Sequence, residues 1–178
     1  GILYILEQIK VKNVIIGKQY EDSTNYNKFK EIVKKQNLNV KIVEAGMRIN
    51  IEKNLYFDVL WPDSQKRITD NAINNNSLVC KLNYNKFSML FTGDIEEIAE
   101  KEIVSKYENN TSILKSTILK TAHHGSKTSS TEKFIEKVKP KIALIGVGEN
   151  NTFGHPSNIT IETLEKAGTK IYRTDQMG

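Results

Sequence analysis

The chain has 178 residues, with Lys+Arg 26 against Asp+Glu 21 and a formal net charge of +5. Its 38% hydrophobic and 26% charged content excludes a disordered tail and a collagen-like repeat, and a chain of this length can bury a core of its own. No apolar run approaches the roughly 20 residues that a membrane-spanning helix needs, and the mild positive balance gives weak attraction to polyanions without naming a partner.

Both ends interrupt a pattern. Gly1-Ile2-Leu3-Tyr4-Ile5-Leu6 begins inside an apolar periodic segment with no Met and no cap, and Ile171 to Gly178 stops in a turn-like stretch, so the chain reads as a piece of a longer protein. Residues 1–9 read as the end of a helix, and Val14-Ile15-Ile16 as a short buried strand closed by Gly17. Ser23 is placed to cap a helix whose apolar face is Phe29, Ile32 and Val33, at i, i+3, i+4 spacing. Asn39 to Val43 predicts a strand. Two hairpins follow: Met47 to Ile51 with Leu55 to Leu60, and Leu78 to Tyr84 with Phe87 to Phe91 across Asn85-Lys86. The polar, Asn-rich stretch from Gln65 to Asn76 reads as a loop, and Trp61-Pro62-Asp63 as a turn.

Beyond Phe91 the period changes. Ile95, Ile98, Ala99 and Ile103 predict one face of a helix. Thr117 to Thr121 predicts a strand, followed by a loop and a short helix bearing Phe134, Ile135 and Val138. Pro140 opens a strand from Ile142 to Val147, a helix runs through Leu164 and Ala167 to Gly168, and Lys170 to Tyr172 is a last strand. Hairpins first and βαβα afterwards imply an α/β fold with a mixed sheet, in one domain over residues 1–178. The single Cys80 excludes a disulfide framework and a cysteine-built zinc site, and reads as a small apolar strand residue.

All three histidines fall in two strand-to-helix loops, Ala122-His123-His124-Gly125-Ser126 and Phe153-Gly154-His155-Pro156-Ser157. A third such loop, Thr92-Gly93-Asp94, carries a carboxylate. Each polar residue sits just past an apolar strand and beside a glycine, where α/β sheets place ligand sites. Taken singly, Asp94 reads as a helix cap and His155 as a turn residue. Taken together, and with His123 and His124 adjacent, the three loops predict a joint site. Asp and His are natural oxygen and nitrogen ligands for zinc or manganese.

In this order, Thr92-Gly93-Asp94, His123-His124-Gly125-Ser126-Lys127-Thr128-Ser129 and Gly154-His155-Pro156 resemble the second half of a metallo-β-lactamase-fold hydrolase. Within that superfamily the chain resembles the C-terminal domain of the ComEC family of bacterial DNA-uptake competence proteins. Asn74-Asn75-Asn76-Ser77-Leu78-Val79 and Tyr172-Arg173-Thr174-Asp175 match that subgroup as well. The resemblance implies an αββα sandwich, an α/β fold with mixed sheets. It also implies two divalent metals, zinc or manganese, in the complete domain. The superfamily's HxHxDH motif is absent, since no histidine precedes residue 123. The chain is therefore expected to begin just after that motif, to bind catalytic metal poorly or not at all, and to be inactive by itself.

Carried over by resemblance, Asp94 is the bridging carboxylate and His155 the last metal ligand. His124 is the phosphate-side histidine that gives a proton or hydrogen bond to the leaving oxygen, and His123 orients it or is structural. Ser126, Lys127, Thr128 and Ser129, at the expected start of a helix, either hold a phosphate or simply cap that helix. Asn76 stands near where relatives carry another ligand and is assigned to substrate. The implied function is a metal-dependent phosphodiesterase or nuclease acting on DNA, in the soluble domain of a bacterial plasma-membrane protein. Alternatives are a free-standing, cytoplasmic hydrolase of a small phosphate or ester, and a non-catalytic DNA-docking domain. An exposed sheet edge would let the chain dimerise.

Overall fold

Residues 2–18 and 23–178 are described in a computed structural model of the chain. Gly1, the first residue of the expected N-terminal helix, lies outside the described residues; the helix α1 covers Ile2–Gln8. Strand β1 (Asn13–Gly17) pairs in parallel with β2 (Asn39–Val43) across α2 (Thr24–Gln36). Ser23 accepts the Tyr26 N–H at 3.1 Å, satisfying one of the donors a helix start leaves open. Leu6, Val14, Phe29 and Ile32 bury together as the core of this unit.

The main sheet has seven strands in sequence order. β3 (Arg48–Glu52), β4 (Leu55–Trp61), β5 (Val79–Tyr84) and β6 (Phe87–Phe91) are antiparallel. From β6 onward, β7 (Ile118–Lys120), β8 (Ile142–Ile145) and β9 (Lys170–Arg173) run parallel. The switch follows from connection length: a two-residue turn returns the chain antiparallel, whereas a parallel neighbour requires a crossover. Asn54 and Asn85, at φ 64 and 52, turn the two hairpins, and Asn37 at φ 51 closes α2. The asparagine side chain tolerates this left-handed region, which accounts for part of the chain's asparagine.

The crossovers are α4 (Glu97–Lys106), α5 (Glu132–Val138) and α6 (Asn158–Lys166). Their apolar faces (Ala99, Ile103, Phe134, Ile135, Val138 and Leu164) close on Leu90, Leu119, Ala143 and Ile145 of the sheet. Each large side chain so buried contributes roughly 1.5–3 kcal/mol. Among the described residues no helix is long and apolar enough to cross a membrane.

Four local expectations need correction. The stretch read as a loop from Gln65 to Asn76 contains a helical turn, α3 (Ala72–Asn75). Ile95 precedes α4 rather than joining its face, and Ile98 is 41% exposed, while the carboxylate Glu100 is fully buried in its place. The helix expected to start at Ser126 to Ser129 begins only at Glu132, as α5 capped by Thr131; the segment before it is irregular, with Gly125, Ser126, Ser129 and Ser130 buried. The terminal turn is the short helix α7 (Thr174–Met177).

Candidate active site

Because β6, β7 and β8 are parallel neighbours, the loops that follow them leave the same edge of the sheet. Backbone bonds tie the three loops together. His123 N–H donates to the Gly93 carbonyl at 3.0 Å, Glu97 N–H to the Thr128 carbonyl at 2.8 Å, and Ser157 N–H to the Gly125 carbonyl at 2.8 Å. Two glycines permit this closeness. At Gly93 (φ +55) a Cβ would lie 2.7 Å from Ser77 Cβ; at Gly125 (φ +80) it would lie 2.6 Å from Pro156 Cβ.

Asp94 does not cap α4. The cap position belongs to Glu96, and the Asp94 carboxylate points to His124, with Oδ1 3.9 Å from Nε2. Both side chains are about half exposed (47% and 53%), so they are open to a ligand. His123 and His124 stand at φ 46 and 55, a left-handed pair that costs of order 1–3 kcal/mol per residue and must be held by its surroundings. His124 Nδ1 lies 2.5 Å from the Gly146 carbonyl. A carbonyl only accepts, so Nδ1 carries a hydrogen, and Nε2 is left facing the Asp94 carboxylate.

His155 is fixed by Asn151, whose Oδ1 accepts the His155 N–H at 3.0 Å and whose Nδ2 donates to its carbonyl at 2.8 Å. Its ring stacks on Phe153 and meets His123 edge-on, at centroid distances of 5.9 and 5.7 Å. Burial, and then the neighbouring charges of His123 and His124, hold its pKa below the usual histidine value.

The sequence-predicted substrate residues divide. Lys127 and Thr128 are exposed, whereas Ser126 and Ser129 are buried. The Ser129 hydroxyl donates to the Ile95 carbonyl at 2.7 Å, which makes it a loop tie rather than a phosphate ligand. Ser126 Oγ lies 3.0 Å from Thr128 Oγ1. Asn76 is buried too: its amide donates to Ile68 and Ala72 carbonyls at 2.8 and 2.7 Å, so it shapes its own loop and does not face the site.

Two residues at the site escaped the sequence reading. Glu96 Oε1 lies 3.4 Å from His123 Nδ1 and accepts the Thr128 hydroxyl at 3.1 Å. Its place two residues beyond Asp94 was the available signal. Lys120 ends β7 between the Asp94 and Gly146 loops, and its ammonium donates to the Thr121 carbonyl at 3.1 Å. Burial lowers its pKa, and the Asp94 charge acts in the opposite direction.

No family model matches the chain. Over 174 residues it is 32% identical to ComE operon protein 3 of Bacillus subtilis, which covers 98% of this chain and 21% of that protein. It is 34% identical to competence protein ComA of Neisseria gonorrhoeae over 68% of the chain and 17% of that protein. Recombination protein 2 of Haemophilus influenzae is 31% identical over 70% of the chain and 15% of its own length. These relatives decide the family. The chain is a ComEC-family homologue. It spans about a fifth of the length of the Bacillus relative. In three dimensions this ComEC-like chain is similar to a solved protein provisionally described as a metal-dependent hydrolase, from Parabacteroides distasonis. The TM-score is 0.50 at 12% identity, over 92% of this chain and 76% of that one, a likeness of fold.

The residues fit a metal in part. Asp94, His124 and His155 have the oxygen and nitrogen donors that zinc or manganese takes. Yet among the described residues no group of three His, Cys, Asp or Glu side chains is disposed to hold a metal ion.

Proposed function

We propose that this region belongs to a divalent-metal-dependent phosphodiester hydrolase that acts on DNA in a DNA-uptake protein. The observation that carries the reading is the convergence of Asp94, His123, His124 and His155, from three separate loops, at the ends of adjacent parallel strands. Relatives named for competence supply the DNA and the uptake setting.

Asp94 and His155 would hold the metal, zinc or manganese. A hydrolytic zinc takes three protein ligands and an open position, so further donors come from polypeptide outside this chain. The metal, when bound, polarises the phosphoryl group and lowers the pKa of a water. His124, with Nδ1 anchored on Gly146, presents Nε2 to pass a proton or hydrogen bond to the leaving oxygen. His123 is steadied by Glu96, and the exposed Lys127 and Thr128 meet the phosphate backbone. The rest of the longer protein would attach the region to the membrane, and the free edge of β3 is where a second copy would pair.

The test is DNA cleavage by the longer protein with manganese or zinc, on single-stranded and duplex substrates. Asp94→Ala is expected to lower the rate by two or more orders of magnitude while the protein still folds. A metal-loaded protein that leaves DNA intact but hydrolyses a small ester would overturn the reading in favour of a small-molecule hydrolase. One that binds DNA without cleaving either substrate would make the region a docking domain.

A further inference from the structure

Lys120 is the only charged side chain in a row that crosses five strands in register: Cys80, Phe91, Lys120, Leu144 and Tyr172. A strand position between a phenylalanine and a leucine favours an apolar side chain, and burying an ammonium there costs stability unless something compensates it. Leu119, its neighbour in sequence, points to the opposite face and is buried in the helix-side core. The Lys120 stem runs past Gly146, where a side chain would meet its Cε at 3.4 Å. Its ammonium would lie 3.8 Å from that same side chain, beside the residue whose carbonyl meets His124 Nδ1. An ammonium has three donors. Among the described residues Lys120 uses one, to the Thr121 carbonyl.

We infer that Lys120 is a substrate-binding residue that selects for charge, its ammonium receiving an anionic oxygen of a phosphate ester. The inference rests on the phosphodiester reading above and adds the residue that recognises the phosphate. A charge-assisted hydrogen bond is shorter and roughly twice as strong as a neutral one, so an anionic ester gains what a neutral carboxylic ester lacks. Lys120 also differs from the exposed Lys127. A lysine already confined by its neighbours surrenders less side-chain freedom on binding than one that moves freely in water.

Inorganic phosphate titrated into the isotope-labelled chain, followed by amide NMR shifts, tests this without requiring turnover. Phosphate is expected to move the amides of Gly93, Asp94 and His123 to Gly125. Lys120→Met keeps the apolar stem and is expected to weaken that binding by about ten- to a hundredfold, the range for a hydrogen bond to a charged group. Lys115→Met, three residues before β7 begins, is expected to leave it unchanged. Should Lys120→Met not fold, as read from its thermal melt, Lys120→Gln carries the same comparison. Unchanged phosphate affinity in the variant, or shifts that miss these loops, overturns the inference. The two readings fail separately. If binding depends on Lys120 but the longer protein cleaves no phosphodiester, the anion site stands and the reaction falls. If phosphodiesters are cleaved and KM is untouched in Lys120→Met, the inference falls and the reaction stands.

Discussion

Replacing Glu100 by glutamine isolates the cost of one buried carboxylate that also holds the histidine loop. Glu100 is fully buried on α4 and accepts three hydrogen bonds: Ser130 N–H at 2.5 Å, Thr131 N–H at 2.9 Å and the Thr131 hydroxyl at 2.7 Å. Burial is the largest influence on it and outweighs those donors, so its pKa is pushed up to about 7 from 4.5. A carboxyl group with a raised folded-state pKa gives its full stability below the unfolded value. That stability is lost as pH climbs to the folded one, because the unfolded chain releases its proton first. At 1.36 kcal/mol per unit, the loss between pH 4.5 and 7 is about 3 kcal/mol. Urea denaturation of both proteins at half-unit steps from pH 4.5 to 8 reads it. Asp63, held below the usual carboxylate range by Lys106, and the lowered His155 titrate in both proteins and cancel in the difference. The wild-type-minus-variant stability is expected to fall by about 3 kcal/mol across that window and to be flat above it. A flat difference curve throughout would refute the reasoning, since Glu100 would then be ionised at pH 4.5 in the folded protein.

Gly125→Ala is expected to destabilise the chain by about 2–4 kcal/mol in thermal or urea melts, because a Cβ would sit 2.6 Å from Pro156 Cβ at a left-handed φ. It should also move the His123, His124 and His155 resonances together, since Gly125 joins their loops. After dialysis against metal-free buffer, elemental analysis of the 178-residue chain is expected to find zinc and manganese well below one equivalent. A stoichiometric metal would show that Asp94, His124 and His155 suffice as ligands.

Much of the fold was legible because strands and helices differ in period, and asparagine and glycine mark where the chain turns. The two hairpins and the βαβα half stand where alternation and the 3.6-residue spacing put them. What escaped was polar burial. Glu100 looks like a surface residue in any helical pattern, and only donors 30 and 31 residues away make its place inside. The same applies to Asn76 and Ser129, whose partners are carbonyls that the sequence cannot identify. Lys120 read as one strand residue among several, because its meaning depends on Phe91 and Leu144 beside it, and pairing is not written in local sequence. The site loops were easier. Three short glycine-containing motifs marked them, and at two of the glycines, Gly93 and Gly125, the backbone comes close.

Those glycines also explain how the site stays open. Where functional side chains hold a loop together, they are hydrogen-bonded already and cannot meet a ligand. Here the holding is done by others: backbone bonds from His123, Glu97 and Ser157, the Ser129 hydroxyl, the Thr160 hydroxyl on the Ser126 carbonyl, and the Glu100 carboxylate. Asp94 and His124 are left about half exposed, facing each other across 3.9 Å with no hydrogen bond between them. The two left-handed histidines are the cost of that arrangement, and the buried ties around them are what a strained pair requires to persist. Preorganisation of this kind places strain and support on different residues. Substituting a tie such as Glu100 or Gly125 should therefore register first in stability, and substituting Asp94 first in chemistry.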